Sequence, residues 1–170
     1  MKRVLVIGSG GTGKTTLAQR LAQRTGLPLI HLDLLYWRPG WQPTPSEVWH
    51  ETVRRLVAGE RWIIDGNYGG TLDLRLVACD TVVFLDRPRV LCVWRVLIRQ
   101  LRYFGRTRPE LPDGCRERLS WAFLAWIWTY PLRRRGSILT RLHALDKGKR
   151  VVILRTGRDI EDFIAGVPMR

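Results

Sequence analysis

Short apolar runs alternate along the chain with stretches of helical period. Val4–Ile7 is an unbroken apolar run, which predicts a strand buried on both faces. From Gly13 to Thr25 the positions Leu17, Ala18, Leu21 and Ala22 follow helical spacing, and Gly26 is placed to end that helix. Pro28–Asp33 reads as a second strand ending on an acid. The run "TPSEVWHETVRRLV" carries the pattern of a capping box, with Thr44 as cap, Pro45 at the first helical position and Glu47 reaching back. Further strands are predicted at 61–65, 81–86 and 150–154, with helices starting at Pro88 and Asp159.

Strands alternating with helices predict a parallel sheet with right-handed crossovers, an α/β fold, and the length of 170 residues suits one domain over 1–170. Ligands of such sheets bind beyond the carboxyl ends of the strands. Asp33, Asp65 and Asp86 all fall at that edge. Asp33 and Asp65 are read as facing a ligand, whereas Asp86, just ahead of Pro88, is read as the cap of the next helix. His31 precedes Asp33 by two residues and shares its strand face, as a core or supporting histidine.

Composition narrows the class. Hydrophobic residues make up 45% of the chain and eight are tryptophan, which fits a packed globular protein. The basic start, MKRVLVIG, breaks at Gly8 without a cleavage-site pattern and reads as a first strand, not a leader. The apolar block 119–132 is shorter than the ~20 residues of a membrane span and suits a buried or interfacial helix. A cytoplasmic protein with no membrane partner is expected. Cys79, Cys92 and Cys115 are too widely spaced for a disulfide framework or zinc site and read as reduced, buried thiols. The net charge of +14 comes mostly from arginine, and twelve arginines lie between Arg87 and Arg135. Such a density suits bidentate phosphate recognition, a nucleic-acid surface or simply a solvated basic face, and charge does not choose among them; nucleic acid is a possible partner but not the favoured one.

The residues 8–15, "GSGGTGKT", match GxxxxGK[ST] without a gap, after a strand and before a helix. In such a loop the backbone N–H groups converge on an anion and the helix dipole adds to the attraction. Gly8, Ser9, Gly10, Gly11, Thr12, Gly13, Lys14, Thr15 and Thr16 are therefore candidates to hold a nucleoside triphosphate. Lys14 is placed for the β- and γ-phosphates and Thr15 for Mg²⁺. A GTPase is excluded, because its NKxD motif needs an asparagine and the single asparagine here is Asn67 in "DGNY". Asp65 is followed by Gly66 and not by the glutamate that activates water in motor ATPases, which disfavours hydrolysis and leaves transfer.

With these motifs in view, the chain resembles the small P-loop kinases of the adenylate, shikimate and gluconate kinase group. Within that group it most resembles the adenylate-kinase-like DNA topology modulation proteins, through "IHLDLLYWRPGW", "RWIIDGNYGGTLDLRL", "DTVVFLDRPRVLCVWRVLIRQLRYFGRTRP" and "FLAWIWTYP". The resemblance implies three layers, strand order 2-3-1-4-5, a mobile lid over about 100–118, and ATP with Mg²⁺ as cofactors. It implies that Asp65 helps hold the magnesium, that Arg95 packs on adenine and Arg99 touches phosphates, and that Arg102, Arg106 and Arg108 lie in the lid. Arg158, in "LRTGRD", falls where these kinases wrap the adenine. "HLD" puts Asp33 where shikimate- and gluconate-type kinases carry an acid beside the acceptor hydroxyl, so Lys14, Asp33 and Arg99 are the expected catalytic residues. Adenylate kinases follow DG with an arginine that clamps AMP; here Asn67-Tyr68-Gly69 stands instead, which turns the reading from AMP toward a hydroxyl acceptor.

Two other functions fit the same sequence: a nucleic-acid-binding ATPase or architectural protein, favoured by the charge, and an ATP sensor without transfer. Tyr36, Trp37 and Trp41 stand either as an acceptor wall or as packing for a long loop, and Arg133, Arg134 and Arg135 as phosphate or nucleic-acid contacts.

Overall fold

The computed structural model describes residues 1–169. Five parallel strands form the central sheet: β1 (Arg3–Gly8), β2 (Leu29–His31), β3 (Trp62–Asp65), β4 (Thr81–Leu85) and β5 (Arg150–Leu154). Their order is 2-3-1-4-5, with β1 paired to β3 on one side and to β4 on the other. Among the described residues eight α-helices accompany them: α1 (Lys14–Thr25), α2 (Leu32–Tyr36), α3 (Ser46–Val57), α4 (Leu72–Ala78), α5 (Arg89–Arg102), α6 (Trp121–Tyr130), α7 (Gly136–His143) and α8 (Gly157–Ala165). A π-helical turn, Pro131–Arg135, joins α6 to α7.

Strand alternation divides the buried side chains between two layers. Leu5, Ile7, Ile64, Val82 and Phe84 face α3, α4 and α7, where Trp49, Val53, Leu72, Leu76, Ile138 and Leu142 close over them. Val4, Val6, Ile63, Val83 and Leu85 face α1 and α8, against Leu17, Leu21, Phe163 and Ile164. The result is helix, sheet, helix. A third, smaller cluster joins α5 to α6 through Cys92, Val96, Leu124 and Ile127. The three cysteines are free and buried.

Several local expectations are corrected. β2 ends at His31, and Asp33 sits in the first turn of α2, where Leu32 is drawn into the core. Thr44 caps nothing: its hydroxyl donates to the Tyr36 carbonyl at 2.7 Å, and α3 starts at Ser46 without a side-chain cap. That bond ties α3 to the end of α2 across a short two-stranded ribbon, Trp37–Arg38 with Gln42–Pro43. Asp86 follows β4 and accepts both arms of Arg135, at 2.8 Å, instead of capping α5. α8 starts at Gly157, with Thr156 and Asp159 forming the reciprocal capping box.

Arg75 is fully buried and, among the described residues, has no acidic partner. Its guanidinium donates to the carbonyls of Gly66 (2.7 Å), Asn67 (2.8 Å), Tyr68 (2.7 Å) and Thr71 (3.2 Å). Burial pulls its pKa down to about 10, so the charge persists at neutral pH and is solvated by these dipoles. They hold the loop after β3 in an unusual course, with Gly66 at φ +146° and Tyr68 at φ +23°. A Cβ on Gly66 would lie 2.8 Å from Leu32 Cβ. Replacing Arg75 by Met leaves these carbonyls buried and unpaired, and is expected to lower stability by roughly 2–4 kcal/mol. Urea unfolding of the two proteins checks this.

Candidate active site

The carboxyl edge of the sheet opens into a cavity of about 1130 Å³. Ligand pockets usually occupy roughly 300–1,000 Å³, so this cavity stands at the upper end of that range. The loop between β1 and α1 forms its floor. Lys14 Nζ donates to the Ser9 carbonyl at 2.8 Å, and the Thr12 hydroxyl donates to the same oxygen at 2.8 Å. The loop is gripped from above: a Cβ on Gly11, where φ is +77°, would lie 2.2 Å from the Cys92 carbonyl oxygen of α5. A Cβ on Gly10 would lie 2.7 Å from Phe123 of α6. Only glycine admits this packing.

Because β3 lies beside β1, the Asp65 carboxylate arrives next to the first turn of α1. Its Oδ2 accepts from the Thr15 hydroxyl at 2.8 Å and from His31 Nδ1 at 3.2 Å. The hydrogen bond to Asp65 raises the His31 pKa, against the opposing effect of burial. Asp65 Oδ1 is buried and makes no hydrogen bond with any described residue. A lone carboxylate oxygen beside a threonine hydroxyl suits a hydrated divalent cation. Burial lowers the Lys14 pKa, while Asp65 and then Asp33 act in the opposite sense.

Asp33 lines the same cavity from the first turn of α2. Its Oδ1 accepts from the Tyr68 hydroxyl at 2.5 Å. Burial first, and the Asp33 charge second, raise the Tyr68 pKa far above its ordinary value, so the phenol stays a donor. Trp37 and Trp41 line the cavity beyond Asp33, while Tyr36 turns away to pack edge-on against Trp37 and Trp49. Phe123, Trp126 and Tyr130, spaced along one face of α6, supply another part of its lining. The Phe123 and Trp126 rings stack, with centroids 5.8 Å apart. Asn67 ties the pieces together, accepting from Gly8 N–H at 3.4 Å and donating to the Tyr130 hydroxyl at 3.3 Å.

A family model for the ATPases associated with various cellular activities (AAA) matches residues 4–57, the segment that contains the phosphate loop. No curated protein matches the chain. Solved structures do. A shikimate kinase from Acinetobacter baumannii in complex with shikimate aligns with a TM-score of 0.58 at 18% identity, covering 97% of this chain and 89% of that one. The fold is that of the P-loop kinases. A gluconokinase from Sinorhizobium meliloti 1021 aligns with a TM-score of 0.53 at 17% identity, covering 96% of this chain and 91% of the other. A sugar kinase from Janibacter sp. HTCC2649 gives 0.53 at 22% identity, with 97% and 93% covered.

The stretch expected as a lid, about 100–118, begins in the last turn of α5, and residues 103–118 follow that helix. They are irregular, joined by bridges between Phe104 and Glu117 and between Thr107 and Arg116. The buried Glu117 carboxylate lies 3.1 Å from Arg99 and 2.5 Å from Arg108. Burial, followed by the neighbouring Arg108, lowers the Arg99 pKa. The segment rests on α1 through Gln19 and Glu110 (3.2 Å) and on the ribbon through Trp41 and the Arg116 carbonyl (2.9 Å). Arg102 and Arg106 are exposed.

The cavity thus gathers Gly8, Gly10, Gly11, Thr12, Gly13, Lys14, Thr15, Thr16, Asp33, Asp65, Arg95 and Arg99. Arg95 also reaches the Thr12 carbonyl at 3.5 Å. Ser9 is buried beneath the loop and offers its carbonyl inward. Arg158 is exposed and outside the lining, whereas its neighbours Gly157 and Ile160 border the cavity. Sequence reasoning passed over Arg75 and the α6 aromatics. Arg75 was signalled by its place on the apolar face of α4, between Leu72 and Leu76. Gly11→Ala is expected to weaken binding of a fluorescent ATP analogue about tenfold or more, through backbone strain and the clash with Cys92. Equilibrium titration of wild type and variant measures it.

Proposed function

We propose that the protein is an ATP-dependent phosphotransferase whose acceptor presents a hydroxyl to Asp33. The observation that carries this reading is the Asp33 carboxylate, oriented by the Tyr68 hydroxyl at 2.5 Å and lining the same cavity as Lys14. With Oδ1 engaged by Tyr68, Oδ2 takes the proton of the acceptor hydroxyl as its oxygen attacks the γ-phosphorus. The bond from that phosphorus to the β,γ-bridging oxygen breaks, and ADP leaves with the electron pair. Lys14 and Arg99 neutralise the charge that spreads over the phosphoryl oxygens.

Magnesium bound with the triphosphate adds further neutralisation, and Thr15 and Asp65 are the residues that would hold it. The stacked aromatics and the tryptophans of the ribbon form an apolar wall suited to the body of the acceptor. Residues 103–118 would exclude water, the competing nucleophile.

Phosphorus NMR of ATP, Mg²⁺ and pooled hydroxyl acceptors tests the proposal directly. A new phosphoester signal is expected with one pool, and Lys14→Ala removes it. Asp33→Asn should lower kcat by a factor on the order of 10²–10⁴ while leaving ATP binding intact. Release of free phosphate solely in the presence of duplex DNA would overturn the assignment in favour of a nucleic-acid-dependent ATPase.

A further inference from the structure

The outer sides of α5 and α6 carry an apolar surface that no part of the described chain covers. The two helices run antiparallel. Arg89, at the start of α5, lies over the Trp128 ring near the end of α6, 4.2 Å from its centroid. At the other end, Gln100 donates to the Arg118 carbonyl at 3.0 Å. Their facing sides interlock through Cys92, Val96, Leu124 and Ile127. On α5 the exposed residues include Val90, Trp94, Ile98 and Leu101, one above another at helical spacing, and on α6 they include Trp121 and Trp128. Trp94 is 60% exposed, Leu101 78% and Trp121 75%; Leu132, just past α6, is 80% exposed. Isolated exposed apolar residues are ordinary, but a run of four along one face of α5, with Trp121 and Trp128 exposed on the helix packed against it, marks an interaction surface.

Charge selects the occupant. Neither α5 nor α6 contains an acid, and residues 119–135 contain none. Of the twelve arginines between Arg87 and Arg135, six line the cavity (Arg87, Arg95, Arg99, Arg108, Arg118 and Arg134) and Arg135 pairs with Asp86, which leaves Arg89, Arg102, Arg106, Arg116 and Arg133; of the three acids in this stretch, Glu110 and Glu117 pair with Arg108. A symmetric contact with a second copy would press this basic, acid-free surface against itself. Nucleic acid would answer the arginines but offers no apolar phase to Val90, Ile98, Leu101 and Leu132. An anionic bilayer answers both, since phosphates meet the arginines and the acyl boundary receives the aliphatic and indole side chains.

We infer that the α5–α6 face is a peripheral docking surface for anionic phospholipid membranes. The attachment lies on the surface of the bilayer: among the described residues, no helix is long and apolar enough to cross a membrane. It differs from the expectation of no membrane partner and is independent of the phosphotransferase reading. The same α6 helix divides its labour, with Phe123, Trp126 and Tyr130 turned to the cavity and Trp121 and Trp128 turned outward.

Flotation of the full chain with vesicles tests this. Vesicles of one-third phosphatidylglycerol in phosphatidylcholine are expected to capture at least about tenfold more protein than phosphatidylcholine alone, with capture falling as salt rises. Brominated acyl chains should quench tryptophan emission. The surface triple variant Trp94→Gln, Leu101→Gln, Trp121→Gln is expected to lose about tenfold or more of this capture while binding ATP as wild type does. Equal capture by both vesicle types, or undiminished capture of the triple variant, overturns the inference. So does a concentration-dependent dimer in sedimentation velocity that the triple variant abolishes without any vesicle binding. Duplex DNA that binds more tightly than the vesicles, and equally to the triple variant, would assign the face to nucleic acid instead.

Discussion

Through a single oxygen, Asp65 accepts hydrogen bonds from Thr15 and His31, and so joins the first turn of α1 to the ends of β2 and β3. Everything at the cavity floor depends on that junction. The strand order places β3 beside β1, and the register pairs Asp65 with Val6, two residues before the phosphate loop begins. A carboxylate buried here is tolerable only if its charge is met. Threonine and histidine meet it on one side, and the second oxygen makes no hydrogen bond with any described residue.

The Asp33 side of the cavity is built by a second device. Arg75 brings a full charge into the core and spends its donors on the backbone of the loop after β3. That loop then presents Asn67 to the phosphate loop and Tyr68 to Asp33. One buried guanidinium therefore sets the relation between the phosphate-binding half of the cavity and the half that carries Asp33. A lysine could not replace it, since a single ammonium cannot span these carbonyls.

The sheet was legible because its signals are local and strong. Continuous apolar runs at Val4–Ile7 and 82–85 can hardly be anything but buried strands, and GxxxxGK[ST] fixes both its own conformation and the helix after it. What escaped was set by tertiary partners. Thr44 has the chemistry of a helix cap, yet the Tyr36 carbonyl competes for its hydroxyl and wins. Asp86 looks like a cap from its place before Pro88, but an arginine forty-nine residues away claims both its oxygens. The α6 aromatics have no periodic contrast to read, because the helix is apolar on every side; only its partners divide it into a cavity face and an outer face.

The most direct test of the Asp65 junction is calorimetric titration of ATP into wild type and Asp65→Asn, each with and without Mg²⁺. If Asp65 holds the cation, magnesium tightens ATP binding to the wild type and has little effect on the variant, while both bind magnesium-free ATP comparably. Equal enhancement by magnesium in the two proteins would contradict the account and move the cation elsewhere in the cavity.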